Sequence, residues 1–119
     1  MKTLVALLLM VSVVWGEPPT HSDGLASCFV ARDKPKGLLS FEAVNAKGGQ
    51  QYILLFDATE IPQDGTVPIW ATAIAPNESV YRAFLTPLQF AKGIVICNSK
   101  SAESLQVGTA DCFYSLNTK

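Results

Sequence analysis

The feature that most constrains this chain is how its apolar residues repeat. From Cys28 onward they come in short runs, many with a period of two, separated by Pro, Gly and Asp/Asn turn signals. Successive side chains of an extended strand point to opposite faces, so this alternation is what a half-buried strand requires. "LLSFEAVNA" places Leu39, Phe41 and Ala43 on one side and Ser40, Glu42 and Val44 on the other. "TVPIWATAIA" sets Val67, Ile69, Ala71 and Ala73 against Trp70, Thr72 and Ile74, with Pro68 pointing to an edge or an early strand position. "ADCFYSLNT" alternates Cys112, Tyr114 and Leu116 against Phe113 and Ser115. "QYILLFD" is almost continuously apolar and is predicted to be a more central strand. "SCFVAR", "VYRAFL", "TPLQFAKG" and "GIVICNS" add further segments, and "SAESLQV" admits either one helical turn or a short extra strand.

The breaks have physical causes. Pro35, Pro62 and Pro68 lack an amide proton, while "KGGQ", Asp64-Gly65 and "PNES" carry the residue types that reverse a chain. About seven or eight short strands with no helical stripe require two sheets that bury their apolar faces against each other. The predicted fold is one antiparallel β-sandwich over residues 28–119, immunoglobulin-like or jelly-roll-like.

The N-terminus predicts the compartment. "MKTLVALLLMVSVVWGEPP" has one charge at Lys2, an apolar run from Leu4 to Trp15, and small Val14 and Gly16 before a Glu-Pro-Pro break, the three regions of a secretory signal. The run is shorter than the roughly 20 apolar residues that cross a bilayer. Residues 1–16 are therefore expected to be a signal peptide, 17–27 a flexible polar spacer, and the product exported to the periplasm or outside the cell, with no stable membrane span once the signal is removed. "LASC" at Leu25 to Cys28 spells a lipoprotein motif but is separated from the apolar run by "GEPPTHSDG", so lipidation is set aside.

Composition bounds the function. The chain has 119 residues, 49% hydrophobic, with a formal charge of −1, the profile of one compact soluble domain. Removing Lys2 with the leader leaves eight basic and ten acidic residues, or −2. No basic run is present, which argues against a nucleic-acid partner.

Catalytic chemistry finds little support. His21, the single histidine, falls in the spacer, so a Ser-His or Cys-His site is not predicted, and without further His or a CxxC pair neither is a zinc site. Asp57, Glu60 and Asp64 cluster in "FDATEIPQDG", but their spacing matches no calcium loop, and turn-making explains Asp57 and Asp64 better. A hydrolytic carboxylate pair, drawn from these three and Asp111, is the enzymatic alternative. "KGGQ" has no following helix and reads as a turn rather than a phosphate loop. No catalytic residue, metal or cofactor is predicted. "NES" at Asn77 is a glycosylation sequon at a turn, meaningful in a eukaryotic secretory pathway. Trp70, Tyr81, Phe84 and Tyr114 sit at strand positions where packing is the expected role rather than a sugar platform.

Export permits disulfides, and three cysteines allow one intramolecular bridge. If the segments around Cys97 and Cys112 form a long hairpin, a symmetric register sets the two opposite each other, and Cys97–Cys112 is the leading candidate. Three free buried thiols and a Cys28–Cys112 bridge between first and last strands are the alternatives.

A longer pattern runs through "GLLSFEAVN", "YILLFDATEIPQDGTVPI", "FAKGIVICNS" and "GTADCFYSL". It resembles small all-β proteins encoded in bacteriophage, prophage and environmental viral genomes, over roughly residues 28–117. Its more specific pieces are Phe56-Asp57-Ala58, the Pro62 to Pro68 turn, Phe90-x-x-Gly93-Ile94 and Asp111-Cys112-Phe113. The resemblance implies a non-enzymatic structural or surface-interaction module, such as a minor virion protein decorating a head or tail, whose partner is another protein or its own copies. The export signal departs from that group, which weakens the virion reading and leaves room for the runner-up, a secreted domain that binds a glycan or cell-surface receptor.

Overall fold

The computed structural model describes residues 18–119. The expected signal peptide lies outside the described residues. Eight antiparallel strands form two four-stranded sheets: β1 (Thr20–His21), β2 (Cys28–Arg32), β3 (Lys36–Asn45), β4 (Gln51–Asp57), β5 (Trp70–Ile74), β6 (Ser79–Phe90), β7 (Ile94–Ser99) and β8 (Cys112–Thr118). Sheet I has the order β1-β8-β3-β6 and sheet II the order β2-β7-β4-β5. Apart from β4 to β5, every connection crosses between the sheets.

The main core lies between them. Leu38, Phe41, Ala43, Val80, Phe90, Cys112, Tyr114 and Leu116 of sheet I meet Ala31, Ile53, Leu55, Ile74, Ile94 and Ile96 of sheet II. Fully burying a side chain of Leu, Ile or Phe size contributes about 1.5–3 kcal/mol, so this single layer accounts for most of the driving force. The alternation of β8 is as expected, with Cys112, Tyr114 and Leu116 buried and Phe113 and Ser115 half-buried. In β3 the expected alternation holds from Phe41 onward but slips earlier. The register shifts between Leu38 and Ser40 against both neighbours, and Leu38 rather than Leu39 enters the core.

The apolar runs of β4 and β7 are explained by a second core on the far side of sheet II. Leu54, Phe56, Val95 and Cys97 point away from sheet I and are covered by Leu105. The long connections 58–69 and 100–111 supply that cover, meeting through Gly65 N–H to the Leu105 carbonyl and Leu105 N–H to the Thr66 carbonyl, both 2.8 Å. "SAESLQV" is thus neither helix nor named strand; it carries the Leu105 plug, and Val107 makes an isolated bridge to Ser99.

Three sequence expectations are corrected. The 17–27 spacer, where described, is part of the fold: β1 pairs with β8, Ser22 is buried, and Ala26 bridges to Cys112. Ser22 accepts the Tyr114 N–H at its Oγ and donates that hydroxyl to the Gly24 carbonyl, so polar residues here close an edge instead of remaining solvated. "TVPIWATAIA" forms a strand only from Trp70, leaving Val67 and Ile69 exposed in the preceding connection. "VYRAFL" and "TPLQFAKG" are not two elements but the continuous β6 with a wide bulge.

The free edges are guarded against pairing with other chains. β1 is two residues long, β5 is short, and β6 is bulged and carries Pro87, while β2 is bulged at Ala31.

Candidate functional site

The cysteines resolve differently from the leading expectation. β7 and β8 belong to different sheets, so residues 100–111 are a crossover and no hairpin places Cys97 against Cys112. Cys97 instead stands directly opposite Cys28 in the β2–β7 register, with Cα atoms 4.1 Å apart, and the disulfide joins Cys28 to Cys97. Cys112 remains a free thiol, buried in the main core.

Around that thiol is a buried polar cluster at one end of the sandwich. Asn45, Gln51, Asn98, Cys112 and Tyr114 are all nearly or fully inaccessible. Asn45 spends both amide protons on the carbonyls of Gly49 and Ala75, at 3.0 and 3.1 Å, and its oxygen accepts from Lys47 N–H and Gln51 Nε2. One side chain thereby ties together two connections. Asn98 Nδ2 donates to the Thr109 carbonyl at 2.9 Å and points at Cys112 Sγ at 3.4 Å. The Gln51 and Asn98 amide oxygens have no conventional donor, and both face Gly108, where an added Cβ would lie 2.9 and 2.7 Å from them. Burial pushes the Cys112 thiol up from its ordinary pKa, outweighing the hydrogen bond from Asn98, and burial likewise raises Tyr114. Both groups stay protonated and inert, and the Tyr114 hydroxyl donates to the Ser27 carbonyl at 3.1 Å. The cluster is a structural clamp.

The carboxylates singled out for hydrolysis or calcium are each engaged in holding a loop. Asp57 accepts the N–H groups of Ala91, Lys92 and Gly93, at 3.1, 2.8 and 3.3 Å. Partial burial raises its pKa, but those three amides and the Lys92 charge outweigh it and the net shift is downward. The turn it caps needs Gly93, since a Cβ there would lie 2.5 and 2.6 Å from the Arg32 and Ala58 carbonyl oxygens. Asp64 accepts Val107 N–H at 3.1 Å, joining the two covering connections. Asp111 accepts the Thr109 hydroxyl and lies 4.0 Å from Lys47 Nζ, beside the buried cluster. Glu60 is exposed on the 58–69 connection. Asn77 is exposed at the β5–β6 turn with a left-handed φ of 55°, a conformation Asn tolerates. His21 is exposed in β1 and stacks on Phe113 at 5.9 Å.

The surface with unmet contact potential is where the edges β5 and β6 face the same side. Trp70 of β5 packs edge-on against Phe41 and Phe84, with ring centroids 5.5 and 6.0 Å apart, and closes the seam between the sheets. Beside it an open groove of about 260 Å³ is lined by Val67, Ile69, Trp70, Ala102 and Glu103. Val67 and Ile69 are 71% and 50% exposed. On β6, Tyr81 is 57% exposed and Leu85 fully so. Of the aromatics expected to pack, Tyr114 is buried, Trp70 and Phe84 are partly buried, and Tyr81 lies at the surface. A second, more polar hollow of about 480 Å³ lies at the opposite end from the amide cluster, between residues 18–20 and 32–36.

Sequence patterning alone does not single out this exposed edge. Pro87 inside an apolar run was the available signal, because Pro in a strand belongs to an edge or a bulge. Among the described residues no helix is long and apolar enough to cross a membrane.

No family model matches the chain, and no curated protein matches it either. Among solved structures it is similar to a crystal structure of PirA, with a TM-score of 0.40 and 8% sequence identity over 85% of this chain and 94% of that one. A likeness at that level carries no argument about function.

Proposed function

We propose that this chain is an exported, non-enzymatic binding or assembly module that works through the side of the sandwich where β5 and β6 are edges. The observation that supports this most is the set of large apolar side chains exposed there, Val67 and Ile69 on the connection before β5 and Leu85 on β6, in a fold that buries most of its strand apolars. Contiguous exposed apolar surface marks contact sites more often than scattered residues do. Within the sandwich class, the strand order β1-β8-β3-β6 over β2-β7-β4-β5 favours the jelly-roll reading over the immunoglobulin-like one. The leader-like N-terminus and the Cys28–Cys97 disulfide favour export, since such bridges persist in oxidising compartments. A minor virion protein on a phage head or tail is the specific form of this reading that the motif resemblance suggests.

The second reading is a secreted domain binding a glycan or cell-surface receptor, favoured by the exposed Tyr81. In that case, expression through a eukaryotic secretory pathway is expected to add a glycan at Asn77. An Asn77→Gln variant that loses the mass increment would confirm it, and an unmodified wild-type chain would count against that host class.

The test of the module reading is direct. Purified protein is screened against a panel of glycosidic and ester substrates and, in parallel, on a glycan array. The expected result is no turnover. Turnover abolished by Asp111→Asn in a folded variant would overturn the reading in favour of a carboxylate hydrolase. Array binding lost on Tyr81→Ala would favour the second reading over the virion one.

A further inference from the structure

The polar hollow has a chemistry that the β5–β6 surface lacks. It measures about 480 Å³ and lies where β1 and β2, edges of different sheets, come together, with residues 18–20 on one side and 32–36 on the other. Arg32, Lys34 and Lys36 line it against one acid, Asp33, in a chain that carries nine basic and ten acidic residues. The local charge therefore runs against the balance of the whole chain.

Local rules place these cations. The β2 register slips between Val30 and Arg32, Ala31 turns into the main core, and Arg32 reaches across the seam to the other sheet. Its Nε–H donates to Thr118 Oγ1 at 3.1 Å, Nη1 to the Ala31 carbonyl at 3.1 Å and Nη2 to the Pro18 carbonyl at 3.4 Å. Those bonds fix the guanidinium and leave a second proton on each Nη for an oxyanion. Pro35 biases Lys34 towards the extended region, where side chains two apart share a side, and Lys34 and Lys36 both border the hollow. Neither Arg32 nor Lys34 has an ion-pair partner among the described residues, Asp33 included. Pro18, Pro19 and Thr20 complete the wall with ring carbons and a hydroxyl.

We infer that this hollow binds an anionic glycan, an oligosaccharide carrying carboxylate or sulfate groups. A guanidinium holds such oxyanions through directed N–H bonds, and the ammoniums beside it add charge without a fixed geometry. Three cations around one open hollow suit more than one anionic group, as a charged sugar chain presents, while the proline rings and the Thr20 hydroxyl offer the apolar and hydrogen-bonding contacts of a sugar ring. A polynucleotide fits less well, because the cations form one cluster rather than a stripe and no aromatic in the wall can stack on a base. The hollow lies on the β1 and β2 edges, away from β5 and β6, so this site goes beyond the contact-module reading and either can fail alone.

Isothermal titration calorimetry on the exported chain tests it, with four probes: a sulfated uronic-acid oligosaccharide, a neutral oligosaccharide of the same length, inorganic sulfate, and a short single-stranded DNA. The charged sugar is expected to bind, more weakly as salt rises, and the neutral sugar not to bind. Arg32→Ala should raise the dissociation constant about tenfold or more. Because Arg32 also holds Thr118, the exposed Lys34 supplies the second variant: Lys34→Glu should weaken binding similarly with an unchanged circular dichroism spectrum. Asp33→Asn should tighten it, an effect that a merely structural role would not produce. Tyr81→Ala and Leu85→Asp should leave it unchanged. No binding of the charged sugar overturns the inference, as does equal binding of the neutral one or an affinity indifferent to Lys34→Glu. Sulfate or DNA binding as tightly as the charged sugar overturns the glycan assignment. Binding abolished by Tyr81→Ala but not by Lys34→Glu would move the sugar to the β5–β6 side and end this site, whereas Asp111-dependent turnover would end the module reading and leave the hollow as it is.

Discussion

At the scale of single residues, glycine and carboxylate do work that composition does not reveal. Gly108 leaves room for the Asn98 and Gln51 amide oxygens, which an added Cβ would meet at 2.7 and 2.9 Å. Gly108→Ala is expected to destabilise the fold by about 1–3 kcal/mol, the usual cost of overpacking, seen as a lower urea midpoint. An unchanged midpoint would mean that both buried amides can move aside. Asp57 presents a pH effect of definite sign. Its pKa is lower in the folded chain than in the unfolded one, so its contribution is complete above the unfolded value and is lost as pH falls through the folded value. Asp57→Asn should lower stability at neutral pH and flatten the acid limb of a stability profile. A variant whose acid limb parallels the wild type would remove Asp57 from that role. Asp57 was legible in the sequence as a turn residue, but not what it caps, because Ala91 to Gly93 lie more than thirty positions away.

At the scale of elements, legibility followed burial on one face or two. The one-sided β8 and the later part of β3 alternate as written, since each has core beneath and less crowded surroundings above. The run in β4 correctly signalled an interior strand, flanked by β7 and β5 and covered on both faces. What the pattern could not convey was bulging, which shifts Leu38 inward and Leu85 outward by backbone register alone. Neither can it show which sheet each strand joins, and without that the partner of Cys97 is not legible in the sequence. The disulfide closes a sequence separation of 69 between neighbouring strands. Replacing Cys28 and Cys97 together by Ser should cost about 4 kcal/mol in the chain-entropy model. Ellman titration of the unreduced protein should find one thiol in denaturant and fewer when folded; three in denaturant would mean that no bridge forms.

At the scale of the whole molecule, the two long connections matter as much as the strands, because they form a third layer over sheet II. The topology also separates two kinds of proximity. Cys97 and Cys112 are fifteen positions apart in the chain, against 69 for Cys97 and Cys28. In an unfolded, newly oxidised chain, loop closure favours the shorter pairing by about 1.4 kcal/mol, roughly tenfold. The first bridge to form is therefore expected to be the wrong one, and the native state is reached by exchange, in which the Cys112 thiolate is expelled as Cys28 enters. Once folded, Cys112 is sealed in the core and cannot attack again. Oxidative refolding of a Cys112→Ser chain should thus give native protein faster than the wild type in the absence of an isomerase, with the gap narrowing when one is added; equal rates without isomerase would show that the strands pair before the sulfurs do.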